Sequence, residues 1–182
     1  MTTGLLDRSQ IEAIVKAVAE RLEGSWLLVG GSLVALELEP GRTTEDVDLV
    51  GMEGTQAERF ALMDLAFDLG LPIEAVNSAA DFFVRRIDGW ETELSVLRAG
   101  PRATVYRPNT TLFILLKVGR LSERDLEDCE LALRRAEQEG SHVDRPRIVA
   151  ALDALAQTED AALTARRLRL RERLSAPDRA QP

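Results

Sequence analysis

Apolar residues recur at helical spacing over Ile11, Ile14, Val15, Val18 and Leu22, and Gly24 ends the pattern. Ser9-Gln10-Ile11-Glu12 has the form of a capping box, so a first helix is expected there. Ser25 to Val29 is short and nearly all apolar, as in a central strand buried on both faces. After Gly30-Gly31-Ser32, a second helix runs through Leu33, Val34, Ala35, Leu36 and Leu38 until Pro40-Gly41 stops it. A polar turn then delivers Asp46-Val47-Asp48 into Leu49-Val50, a second strand.

Thr55-Gln56-Ala57-Glu58 offers another capping box for a helix through Phe60, Met63, Phe67 and Leu69 to Gly70. Leu71 to Ala80 is read as a loop with room for one helical turn. Phe82 to Ile87 and Glu91 to Leu97 flank Asp88-Gly89, which predicts a tight antiparallel hairpin, and Thr104-Val105-Tyr106 adds a short strand. Beyond Pro108 the pattern is helical throughout. Starts are expected at Asn109, at Ser122, at Asp144 with Pro146 in the first turn, and at Thr158 for a last helix reaching about Leu174. The expected class is therefore α/β (α+β): a mixed-sheet domain over 1–107, a C-terminal helical bundle over 108–176 and a disordered tail over 177–182.

Composition narrows the chemistry. At 182 residues, with 45% hydrophobic and 30% charged residues, the chain can bury a sizeable core. It shows no apolar run near the ~20 residues that span a bilayer and no secretory pattern at the N-terminus, so no membrane and a cytoplasmic location are expected. Cys129 is the only cysteine and His142 the only histidine, which excludes an internal disulfide and a Cys/His zinc site. Any metal must be held by oxygen. The net charge of −8 disfavours a general nucleic-acid binder, although Arg166, Arg167, Arg169, Arg171, Arg173 and Arg179 make the last stretch basic. A solvated helix face is the first reading of that stretch, and an RNA contact the second.

In a strand, Asp46 and Asp48 share one face, about 7 Å apart, and two such carboxylates call for a cation between them. A Gly-Gly-Ser turn opens space for phosphate beside them, so the stretch points to Mg²⁺ and a nucleoside triphosphate. The lysines are only Lys16 and Lys117, and a lysine within Leu115-Leu116-Lys117-Val118 reads either as a phosphate partner or as a side chain snorkelling from a core helix. Lys117 and Arg120 share a helical face. Glu91 and Glu93 share a face of the strand expected after the hairpin. Glu93 is the candidate third carboxylate, against the alternative of an exposed edge residue. Cys129 reads as packing, and Trp26 and Trp90, expected at strand starts, read as core or rim.

Gly31-Ser32, a spacer of thirteen residues (33–45) and Asp46-Val47-Asp48-Leu49 resemble the signature of the DNA polymerase β-like nucleotidyltransferase superfamily. Arg42-Thr43-Thr44-Glu45 before the aspartates, and Lys117-x-x-Arg120-x-x-x-Arg124-Asp125-x-x-Asp128, are similar to motifs of its AbiEii-type branch, which includes toxins of toxin–antitoxin pairs. The resemblance covers roughly 27–133. It implies a nucleotidyltransferase-like domain that transfers a nucleoside monophosphate from a triphosphate to an acceptor hydroxyl on tRNA, protein or a small molecule. Asp46, Asp48 and Glu93 would hold Mg²⁺, and Gly30, Gly31, Ser32, Arg42, Thr44, Lys117 and Arg120 would contact the nucleotide. Asp125 would position or deprotonate the acceptor, and a cognate antitoxin or other protein would be the partner. The competing expectation is a non-catalytic module of the same fold that binds a nucleotide or a protein, and the third carboxylate separates the two.

Overall fold

The computed structural model describes residues 4–175, so the tail expected over 177–182 lies outside the described residues. The chain divides into two compact units, Met1–Pro108 and Asn109–Pro182. Among the described residues the first unit carries α1 (Arg8–Arg21), β1 (Gly24–Val29), α2 (Gly30–Leu33), β2 (Val47–Gly51), α3 (Gln56–Asp68), β3 (Val76–Asn77), α4 (Asp81–Val84), β4 (Leu94–Ala99) and β5 (Ala103–Pro108). The second carries α5 (Thr110–Val118), α6 (Glu123–Glu139), α7 (Arg145–Asp153) and α8 (Ala161–Ser175). The fold is α+β with a mixed sheet, as the apolar pattern predicts.

The five strands run in the order β3-β2-β1-β5-β4, with β1 antiparallel to β2 and parallel to β5. Trp26 to Val29 are all buried, because β1 has a neighbour on each edge and packing on each face. Beyond Leu33 the helix of α2 widens into a π-helical turn, Val34–Leu38, closed by Glu39 N–H donating to the Val34 carbonyl at 2.8 Å.

Several boundaries differ from the pattern's prediction. The first helix is capped by Asp7, not Ser9: Asp7 Oδ1 accepts from Gln10 N–H (2.9 Å), while Gln10 Oε1 accepts from Asp7 N–H (3.0 Å). The last is capped by Asp160, whose Oδ1 accepts from Ala162 and Leu163 N–H, rather than by Thr158. On α3 the buried face is Leu62, Leu65 and Ala66, and Phe60, Met63 and Phe67 are exposed. Both triplets satisfy helical spacing, and only the sheet beneath decides which one is covered.

The hairpin predicted around Asp88-Gly89 does not form. Asp81–Val84 is a helical turn, stapled by Arg85, which binds Asp81 Oδ1 at 2.7 Å and reaches the Gly51 carbonyl at 2.7 Å. Trp90 does not start a strand; with Glu93 it bounds a 3₁₀ turn that buries its indole, and Trp26 is likewise core. The hairpin of this region is β4–β5, turning at residues 100–102. The stretch read as a loop, Leu71 to Ala80, contains β3, parallel to β2 with Asp48 opposite Asn77.

The second unit is helical, with α6 packed on α5 and α8, and α7 on α5 and α8. Its N-caps at Asn109, Ser122 and Asp144 lie where the sequence places them.

Candidate functional site

Residues singled out in the first unit converge at one end of β1 and β2. Asp48 lies opposite Val29, the last residue of β1, so the following turn at Gly30 meets the Asp48 side chain. Gly30 has φ +75°, and a Cβ there would stand 2.6 Å from Asp48 Oδ2. Only glycine supplies that conformation and that approach without strain. A Cβ on Gly31 would stand 3.1 Å from Thr44 Oγ1 and 3.9 Å from an Arg42 guanidinium nitrogen, which places both side chains against the turn. Thr44 is held there by a backbone pair with Leu6: Leu6 N–H donates to Thr44 O (2.7 Å) and Thr44 N–H to Leu6 O (3.0 Å).

Ser32 does not present its hydroxyl outward. The side chain is fully buried, and Oγ donates to the Val29 carbonyl at 2.9 Å. It fixes the turn from inside and is not placed to contact a ligand with its hydroxyl.

Asp46 is part-buried, and its Oδ2 accepts from Asn77 Nδ2 at 3.0 Å. Asn77 is itself locked: Nδ2 also donates to the Glu74 carbonyl (3.1 Å), and Oδ1 accepts from Ala79 N–H (2.8 Å). Sequence reasoning missed Asn77 because a two-residue strand leaves no periodicity to detect. The only trace is the pair Ala75-Val76 after Pro72.

Glu93 is not beside the aspartates. It ends the 3₁₀ turn before β4, and β4 is the edge strand three steps from β2, about 14 Å away at ordinary strand spacing. The third-carboxylate assignment is corrected accordingly: the residue opposite Asp48 on β3 is the amide Asn77. Among the described residues, no group of three or more His, Cys, Asp or Glu side chains is placed to hold a metal.

In the second unit, Lys117, Arg120, Asp125 and Asp128 come together. Lys117 is buried, and its ammonium donates to Asp125 Oδ1 (2.9 Å) and Asp128 Oδ2 (2.8 Å), with the Phe113 ring 5.2 Å away. Arg120 grips both oxygens of Asp125 at 2.8 and 2.9 Å, and Ser122 adds its N–H (3.0 Å) and hydroxyl (2.8 Å). Leu121, at φ +39°, makes the turn that brings Arg120 and Ser122 to the same carboxylate. Burial by itself would raise the Asp125 carboxyl, but the hydrogen bonds from Arg120, the charge and hydrogen bond of Lys117 and the Ser122 contact outweigh it and hold it far below the usual carboxylate range. A carboxylate so occupied is a poor proton acceptor. Because its pKa is lower folded than unfolded, its contribution to stability is complete above about pH 4 and is lost as pH falls through the folded value. Urea midpoints measured from pH 5 downward should fall, and Asp125→Asn should flatten that fall.

Cys129, beside this cluster, is buried, and burial pushes its thiol up to about 12, so it is packing and not a nucleophile. The arginines of α8 are engaged within their own unit. Arg166 donates to the Leu121 carbonyl, Arg167 to that of Ala156, and Arg169, Arg171 and Arg173 pair with Glu130, Asp153 and Glu137.

Comparison of the chain with protein-family models, with curated proteins and with solved structures finds no match. Among the described residues, no helix is long and apolar enough to cross a membrane.

Proposed function

We propose that the first unit binds a nucleoside triphosphate with Mg²⁺ at Asp46, Asp48 and the Gly30-Gly31 turn, and that the protein transfers the nucleoside monophosphate to an acceptor hydroxyl. The observation that supports this most is the close approach of the Gly30 backbone to the Asp48 carboxylate, which sets a turn free of side chains beside the acidic pair. The donor set fits the ion: two carboxylates at a sheet end are hard oxygen ligands, and Mg²⁺ is commonly held by one or two of them together with substrate phosphates. When bound, Mg²⁺ would neutralise triphosphate charge.

The chain's own residues do the rest. Asn77 orients Asp46, the glycines let phosphate reach the backbone, and Arg42 beside Gly31 supplies a cation. In the transfer, the acceptor oxygen bonds to the α-phosphorus and the bond from that phosphorus to the bridging oxygen breaks. Pyrophosphate leaves with the electron pair, and the hydroxyl proton passes to water. Under this reading Lys117 and Asp125 hold α5 to α6 through their ion cluster. A cytoplasmic location and a cognate antitoxin or other protein partner belong to the same proposal, through the motif resemblance.

Titration calorimetry with Mg²⁺–ATP tests it. The Asp46→Asn, Asp48→Asn double variant should bind roughly 100-fold more weakly, about 2.8 kcal/mol, and unchanged binding would sink the proposal. One observation favours a second reading, a non-catalytic nucleotide-binding module: the amide Asn77, and not an acid, stands opposite Asp48. Incubation with each labelled nucleoside triphosphate, with and without total RNA, separates them. Label transferred to any acceptor supports the enzyme, whereas binding without transfer supports the module.

A further inference from the structure

Four of the five phenylalanines of the chain lie outside its core. Phe60 and Phe67 on α3 and Phe82 and Phe83 on α4 are each at least 53% exposed, and only Phe113 is buried. Phe60, Met63 and Phe67 recur at helical spacing, so they form one stripe on the outer side of α3, away from the buried Leu62 and Leu65. Phe82 and Phe83 meet edge to face with ring centres 5.5 Å apart, and the 3.1 Å contact of Arg59 with Asp81 ties the start of α3 to the start of α4. The rings thus make one apolar face on the first unit. With roughly 200 Å² of surface on each ring, the four exposed rings present about 500 Å². A monomer's largest apolar patch is of that order and is often functional, and about 800 Å² on each partner suffices for a stable complex.

The charges bordering this face have opposite signs at its two ends. Arg59 and Arg86 stand at the α4 end, with the Arg86 guanidinium 5.0 Å from the Phe82 ring centre, and Asp64 and Asp68 stand beside Met63 and Phe67. Arg59 and Asp68, about 13 Å apart along α3, each have an internal partner yet keep side chains 55% and 51% exposed. We propose that this face pairs with the same face of a second copy of the chain about a two-fold axis, the α4 end of one lying on the Phe67 end of the other. A two-fold contact must be complementary to itself. An apolar strip with opposite charges at its ends meets that condition, because turning it end for end sets arginines against aspartates at both ends of the contact. A surface of one charge sign, such as an anionic lipid headgroup layer or RNA, would be repelled at the aspartate end.

Sedimentation equilibrium of the full chain over the micromolar range should give twice the mass of one chain. Phe67→Asp removes a ring that is 77% exposed, so the core stays intact; its dimer should be roughly 100-fold weaker, with an unchanged circular dichroism spectrum. Arg86→Glu and Asp68→Lys should each weaken the dimer alone, and mixing the two in equal amounts should restore it, since both end contacts of the mixed pair then join opposite charges. A wild-type chain that stays monomeric, a folded Phe67→Asp that dimerises like the wild type, or charge variants that gain nothing on mixing would overturn the inference.

Discussion

Replacing Lys117 by methionine is expected to lower the stability of the second unit by about 3–5 kcal/mol, the cost of removing one partner from a buried ion cluster. The Lys117 side chain is 10% exposed, and those of Asp125 and Asp128 are 2% exposed, so water cannot replace the lost ammonium. Asp125 keeps Arg120 and Ser122, while Asp128 loses its 2.8 Å contact with Lys117. Adding Asp128→Asn to Lys117→Met should therefore recover part of the loss, because a neutral amide costs less to leave in that position than a carboxylate. Urea unfolding followed by circular dichroism gives both numbers. A single variant within about 1 kcal/mol of wild type, the range of exposed ion pairs, would show that the cluster is solvated in solution.

Gly30→Ala is expected to weaken Mg²⁺–ATP binding by roughly tenfold or more, about 1.4 kcal/mol, while destabilising the fold by about 1–2 kcal/mol. Two costs act at this position. Alanine is strained at φ +75°, and its Cβ would stand 2.6 Å from Asp48 Oδ2, so the carboxylate must turn away from the glycine turn. Gly70 separates the two effects: it has φ +69° with nothing within 4 Å of a built Cβ. Gly70→Ala should show the strain alone and bind nucleotide like the wild type. If both variants bind alike, the approach of Gly30 to Asp48 has no part in a nucleotide site.

The sequence by itself determined the features that depend on local chemistry. The strand of Ser25 to Val29 is apolar at nearly every position because it is covered on both faces, and the glycine turn, the aspartate strand and most helix starts follow from side chains close in the chain. Glycine at position 30 is intelligible from sequence as a turn residue, but its second role, clearance for Asp48, appears only when β1 and β2 are set in register. Lys117 was legible as an unusual choice in an arginine-rich chain. Its burial between two aspartates was not, since helical spacing gives the face but not what covers it.

The structure alone decided the rest, for the same physical reason throughout: sheet order and packing are long-range. Alternation at residues 82–97 reads as a hairpin, yet Arg85 reaching Gly51 holds its first part as a helical turn. Glu93 sits on an acceptable face in sequence, yet it ends the 3₁₀ turn that leads into β4, three strands from β2. Asn77, on a strand too short to announce itself, became the partner of Asp46. The glycine turn and acidic pair are thus visible in the chain, while the amide beside them comes from the fold.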